Sequence, residues 1–416
     1  MNYAADDAFA ARLDAEDPLR ELRALFELPQ GLLYFCGNSL GPMPCAARPA
    51  VERELDDWAR LGVEGHFHGR VPWFTYHEAF RESCARLVGA LPSEVIVMNT
   101  LTVNLHLMLA SFYRPTPERH KILVEDSAFP SDMYAVASQI RHHGYDPAEA
   151  LVVARPRPRE DVLRTEDVEE LLAREGASIA VVLLGAVQFA TGQWFDMPRI
   201  TAAARRAGCV AGWDLAHAAG NVPLRLHDWD ADFAVWCSYK YLNAGPGAVA
   251  GCFVHERHGG NPALPRLAGW WGNDPATRFA MPHEFVPRAG ADGWQLSNPP
   301  ILSLAPLRAA LDVFDQAGID AIRRKSVALT GYLEFLVQGI PAPPFRQITP
   351  REVGARGAQL SLRVRTGAAE LCRALRDHGV VADSREPDIL RLAPAPLFNT
   401  FGEVLQLGRI LARLAA

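Results

Sequence analysis

The sequence predicts an α/β fold: a mostly parallel central sheet with helices on both faces, plus a smaller α+β domain. Three observations carry this expectation. Short segments that are apolar on both faces, such as KILVE (Lys121–Glu125) and IAVVLLGAVQF (Ile179–Phe189), alternate with stretches of helical periodicity. The chain has 416 residues, 49% of them hydrophobic, which exceeds what one core usually organises. From Ser297-Asn298-Pro299-Pro300 onward the pattern changes to long helices and one alternating strand.

Taken in order, residues 6–28 carry apolar positions at Phe9, Leu13, Leu22, Leu25 and Phe26, and Asp17-Pro18 breaks this helix. Gly31–Pro44 is a short strand entering a glycine-rich turn, and a helix spans 47–61. GVEGHFHGRVPWF, residues 62–74, has loop composition, and 80–88 is helical. A strand begins at Ser93 and leads into the helix LTVNLHLMLASFY. KILVE is a strand, followed by a turn and a helix ending near His142. Strands follow at 150–154, 179–189, from Cys209, at 232–241 and at 247–256, with helices at 165–174 and 198–207. The last of these strands suit antiparallel hairpin pieces. Residues 303–336 read as a long helical stretch broken at Gly318. QLSLRVRT, residues 359–366, alternates like a half-exposed strand; a helix at 368–378, a strand at 389–393 and a helix at 401–414 complete the chain. The expected division is an N-terminal arm with the first helices (1–60) contributing to the smaller domain, a large α/β domain (61–296) and a small α+β domain (297–416).

Composition excludes several classes. With 42 basic and 48 acidic residues the formal charge is -6, which does not suit nucleic-acid binding. The seven cysteines are scattered without a C-x-x-C pair, so free thiols in a reducing compartment are expected. The first 18 residues hold four aspartates and one glutamate and no apolar segment, unlike a secretory signal. No apolar run is long enough for a membrane span. A cytoplasmic protein acting on a small molecule, without nucleic-acid or membrane partners, is the expectation.

The chemical candidates lie at strand ends. Lys240, in AVWCSYKYLNAGPG, follows an apolar run and precedes a glycine-rich turn. Alone it reads either as a strand-end lysine turned to solvent or as an amine held partly desolvated for imine formation. Ser238 and Tyr239 offer hydroxyls beside it. Asp214 ends the strand CVAGW, where open α/β sheets bind ligands. It suits either a carboxylate for a protonated ring nitrogen or a helix N-cap. His217, three residues on, either faces a ligand or is a satisfied core histidine. Asn99-Thr100-Leu101-Thr102 opens a helix, where backbone N–H groups and hydroxyls hold phosphate or simply cap. Phe129, in the run Phe129-Pro130-Ser131-Asp132, suits stacking on a flat ring or core packing. Arg363 and Arg391 are candidates for gripping a carboxylate bidentately.

Other chemistries find no motif: no G-x-G-x-x-G opening a helix, Walker lysine, H-E-x-x-H or G-x-S-x-G occurs. His66, His68 and His77 lack an accompanying cysteine or carboxylate set, so no metal is expected.

The ordered markers YFCGNSLG (Tyr34–Gly41), MNTLTVNLHL (Met98–Leu107), FPSD (Phe129–Asp132), TGQWFDM (Thr191–Met197), WDLAHAAGN (Trp213–Asn221), WCSYKYLNAGPG (Trp236–Gly247), LAGWWGN (Leu267–Asn273), SNPPI (Ser297–Ile301) and RLAPAPLFNT (Arg391–Thr400) cover nearly the whole chain. Together they resemble the kynureninase family, within the aspartate-aminotransferase-like superfamily of pyridoxal-phosphate enzymes. The resemblance implies the fold-type-I (PLP-dependent transferase-like) architecture. It also implies hydrolysis of L-kynurenine, or its 3-hydroxy form, to anthranilate, or 3-hydroxyanthranilate, and L-alanine by Cβ–Cγ cleavage. It makes Lys240 the Schiff-base lysine and proton shuttle, pairs Asp214 with the pyridine nitrogen, sets His217 near the ring's polar edge and stacks Phe129 on the ring. Leu101, Thr102, Pro130, Ser131, Asp132 and Tyr239 complete the cofactor set, with Tyr239 also helping acid–base chemistry at the ketone. The resemblance further implies a homodimer in which Trp270 and Asn298 reach the site from the partner subunit. Arg391 holds the substrate carboxylate, and His66 and Asn298 lie near its aromatic end. Trp271 stands where some relatives have phenylalanine. The preference between the two substrates, and a role in tryptophan breakdown or in pyridine-nucleotide biosynthesis, stay open. The nearest alternative is another enzyme of this fold, a cysteine desulfurase or an aminotransferase.

Overall fold

The computed structural model describes residues 3–365 and 367–415. Its centre is a seven-stranded sheet of β1 (Val95–Val97), β2 (Lys121–Glu125), β3 (Leu151–Ala154), β4 (Ile179–Gly185), β5 (Val210–Asp214), β6 (Phe233–Trp236) and β7 (Gly251–Val254), in the order β1-β7-β6-β5-β4-β2-β3. Neighbours from β3 through β6 pair in parallel, and only β7 runs antiparallel, against both β1 and β6. Successive residues feed opposite faces. In β6, Ala234 and Trp236 join one apolar cluster while Phe233 and Val235 join the other. Both faces are covered, which is why these strands read as continuous apolar runs.

Two strand glycines make room for aromatics. A Cβ at Gly212 would run into the Phe233 ring, and one at Gly251 into the Trp236 indole. The aromatic residue of the neighbouring strand lies across each bare backbone.

The helices of ten or more residues are α1 (Asp7–Glu16), α2 (Ala47–Leu61), α3 (Leu101–Phe112), α4 (Pro130–His142), α5 (Thr165–Glu175), α6 (Met197–Arg206), α7 (Ile301–Ala317), α8 (Ile319–Gln338), α9 (Ala368–Asp377) and α10 (Phe401–Ala415). Asp6 caps α1 by accepting from Phe9 N at 2.8 Å. The predicted break at Gly318 is present: its φ of 72° ends α7 and starts α8. A second, antiparallel sheet has the order β8 (Phe345–Gln347), β9 (Leu360–Val364), β11 (Ile389–Leu392), β10 (Asp383–Arg385). The predicted end of β9 at Thr366 lies outside the described residues. Ala10, Leu13 and Phe35 share an apolar cluster with Leu329, Leu333, Leu360 and Leu407. The buried pair Lys325–Asp17, at 2.7 Å, ties the chain start to α8.

The strands expected over 179–189 and 247–256 are shorter, at Ile179–Gly185 and Gly251–Val254, and two further predictions need local correction. The strand expected over 232–241 stops at Trp236, because Ser238 donates its hydroxyl to Val249 O (2.7 Å) and turns the chain. Lys240 therefore stands on a turn. Within the loop expected over 62–74, Gly65–His68 forms one helical turn, with the Trp73 ring against Gly65. No helix among the described residues is long and apolar enough to cross a membrane.

Candidate active site

One cavity opens at the carboxyl ends of β2, β4 and β5, where a parallel sheet leaves a crevice for ligands. Its wall takes Leu101 and Thr102 from the start of α3, and Phe129, Ser131 and Asp132 from the start of α4. Asp214 and His217 follow β5, and Tyr239 and Lys240 follow β6.

The Lys240 amine lies 3.0 Å from His217 Nε2 and 5.6 Å from the centre of the Phe129 ring. Burial and the neighbouring Lys240 cation hold His217 well below the usual imidazole range, so it is neutral and accepts from the amine. Asp214 accepts from Ala216 N at 2.6 Å. It faces Asp132, and burial raises both carboxyls. Two carboxylates in one dry space cannot both be charged. The Ala216 N–H and the Lys240 cation favour the charge on Asp214, which leaves the proton on Asp132. Burial also raises the Tyr239 phenol, keeping it protonated and able to donate.

At the other end, Thr102 and Ser131 hydroxyls meet at 2.8 Å. Thr100 precedes α3 without a side-chain cap, which leaves the first N–H groups of that helix free to meet an anion. A flat, anionic, aldehyde-bearing ring fits this donor set. Buried polar atoms without partners, Asp132 Oδ1 and His217 Nδ1, support the same conclusion.

Other expected residues stand apart from this cavity within the single chain. Pro130 is the first residue of α4 and does not line it. Trp270 is 41% exposed, beside Trp271 and Phe279. Asn298 is exposed and lines a separate hollow with Asn99 and Thr100. His66 packs its ring edge-on to Trp73 at 5.6 Å. Arg391 is buried just behind His217; its Nε donates to Asp383 (2.7 Å), Nη1 to Phe189 O (2.9 Å) and Nη2 to Ser39 (3.0 Å). Arg363 instead pairs with Asp161 and Asp388.

Three participants are absent from the sequence reading. Glu125 and Gly185, at the ends of β2 and β4, line the cavity, and Asp383 orients Arg391. Glu125 was detectable by the argument used for Asp214: an acid closing an apolar strand. His66, His68 and His77 do not form a ligand set. A Glu94–His227–His255 cluster does occur among the described residues, but Glu94 already accepts from Leu91 N, Glu256 N and His227. Cys372 lies on α9, its thiol donating to Ala382 O at 3.3 Å, which fixes it rather than freeing it for sulfur transfer.

The fold is shared with solved structures of low sequence identity. A cysteine desulfurase from Thermococcus onnurineus NA1 superposes with a TM-score of 0.76 at 16% identity, covering 95% of this chain and 97% of that one. A C-DES variant with glycine covalently linked to its PLP cofactor gives 0.78 at 18% identity, over 94% and 98%. The architecture is that of the fold-type-I class. Sequence relatives narrow the class. Kynureninase of Myxococcus xanthus (strain DK1622) is 58% identical over 403 residues, 96% of this chain and 95% of that protein. Kynureninase of Koribacter versatilis (strain Ellin345) is 56% identical over 398 residues, 94% of each. A family model described as the kynureninase C-terminal domain matches residues 322–411. The chain belongs to the kynureninase family.

Proposed function

We propose that the chain hydrolyses L-kynurenine, and its 3-hydroxy form, to anthranilate or 3-hydroxyanthranilate and L-alanine, in tryptophan catabolism. The 58% identity to the Myxococcus xanthus relative over 96% of the chain carries this reading. The cavity that gathers Lys240, Asp214 and His217 supports it.

Pyridoxal phosphate, when bound, supplies an electron sink for the amino-acid carbons. Asp214 would hold its ring nitrogen, Phe129 would cover a ring face, and Leu101, Thr102, Ser131 and the start of α3 would take the phosphate end. Lys240 Nζ would hold the cofactor's aldehyde end and would move protons to and from the substrate carbons. His217 accepts from that amine and aims it. The protonated Tyr239 phenol donates to the ketone oxygen, where water adds before the Cβ–Cγ bond breaks. Arg391, held by Asp383, presents its charge to the substrate carboxylate. In this reading the working unit is a homodimer, with Trp270 and Asn298 supplied by the partner subunit and His66 near the substrate's aromatic end. In the same reading 297–416 is the smaller domain, to which the N-terminal arm and first helices (1–60) contribute, and 61–296 is the cofactor-binding one.

Incubation with L-kynurenine and with 3-hydroxy-L-kynurenine in parallel tests this. Equal amounts of alanine and the matching anthranilate are expected. Amino transfer without anthranilate, or sulfide release from cysteine instead, would reject it.

A further inference from the structure

Glu125 is a buried carboxyl to which the reaction above assigns no part. It leaves the end of β2 and crosses β4 at Gly185, whose N–H donates to both carboxyl oxygens at 3.2 Å. A Cβ at Gly185 would lie 3.1 Å from Oε1, so a side chain there would press the carboxyl aside by a few tenths of an ångström. Gly185 is paired with Asp214 in the sheet, so the Glu125 carboxyl lies toward Asp214 on the cavity floor. Glu125 also lines an outer cavity between the large sheet and the C-terminal sheet.

We propose that Glu125 is a positioning residue that stands as a neutral acid in the working protein, so that Asp214 remains the single anion of a three-carboxyl cluster with Asp132. This rests on the reading of Asp214 as the partner of the cofactor's ring nitrogen. Of the three buried carboxyls, Asp132 and Asp214 face the one nearby cation, Lys240, while His217 is neutral. One amine cannot hold three adjacent charges in a dry site. Asp214 has a short backbone donor and the amine; Glu125 has backbone donors only and no cation partner. On the outer side, Arg363 is already paired with Asp161 and Arg385 with Asp383, while Asp126 and Glu160 add negative charge to that wall. Burial accordingly raises Glu125 to about 8, with the Asp214 charge adding to the rise. Ionisation of Glu125 would place a second negative charge beside Asp214 and disturb the charge that sets the ring's electron demand.

Infrared difference spectra of the cofactor-loaded protein, without substrate, test the proposal. A protonated-carboxyl C=O band should be present at neutral pH, titrate at mildly alkaline pH and vanish in Glu125→Gln. Glu125→Gln, which mimics the neutral acid, should lose the alkaline limb of the kcat profile. Gly185→Ala, which crowds the carboxyl, should shift the band's titration. An unchanged band in both variants, or a Glu125→Gln protein with the parent's alkaline limb, would overturn the proposal. Failure of the cofactor reading is separable, because it appears as missing visible absorbance in the parent protein.

Discussion

Arg391 spends its guanidinium on the protein before any substrate arrives: Asp383, Phe189 O and Ser39 take its Nε, Nη1 and Nη2. The planar fork is thus locked in place, and a lysine cannot reproduce it. Arg391→Lys should raise KM for kynurenine at least tenfold with the cofactor still fully loaded; steady-state kinetics beside an absorbance measurement of loading checks both parts. Asp214 carries the other decisive charge. Asp214→Ala should weaken cofactor binding on the order of tenfold to a hundredfold, as loss of a charge-assisted hydrogen bond implies, and absorbance titration reads it. Glu125 adds a stability signature. Its carboxyl rises from 4.5 to about 8 on folding, so between these values the folded chain holds a proton that the unfolded chain has released. Stability therefore falls as pH rises through that window. Urea titrations at several pH values should show a flatter decline in Glu125→Gln, and an identical slope would contradict the assignment. Asp214 was legible because it closes an apolar strand, and Lys240 because it follows one. Glu125 offered the same signal, but it gained meaning only once Gly185 let it cross an intervening strand.

The elements were legible where burial is two-sided. Ile179–Gly185 is apolar throughout because helices cover both faces of β4. Polar edge strands were not: β10 reads Asp-Ser-Arg, and its place comes from pairing with β11 rather than from its own side chains. The strand predicted through Lys240 ran too long because the Ser238 side-chain bond that turns the chain has no hydropathic trace. Small residues inside strands record cross-strand packing instead. Gly251→Ala would force the Trp236 indole aside, so a loss of about 1–3 kcal/mol is expected, read as a lowered denaturation midpoint.

At the scale of the whole molecule, the described chain leaves Trp270 and Asn298 outside the Lys240 cavity. An apolar groove near α2, bordered by Leu40, Met43, Val51 and Leu55, lies open on the same chain. Both features follow if two copies pair and exchange residues, an arrangement that no single-chain pattern encodes. Inactive Lys240→Ala and Asn298→Ala proteins, mixed under conditions that exchange subunits, should then recover turnover, because each hybrid contains one site with both native residues. Continued inactivity in verified hybrids would reject shared sites.

The account depends most on Lys240, the turn-borne amine 3.0 Å from His217. Borohydride reduction of the purified protein, followed by peptide mass mapping, tests it most directly. The account predicts one pyridoxyl-phosphate adduct, at Lys240, with the visible absorbance lost on reduction. An adduct at another lysine, or cofactor-dependent turnover with no reducible adduct, would contradict it.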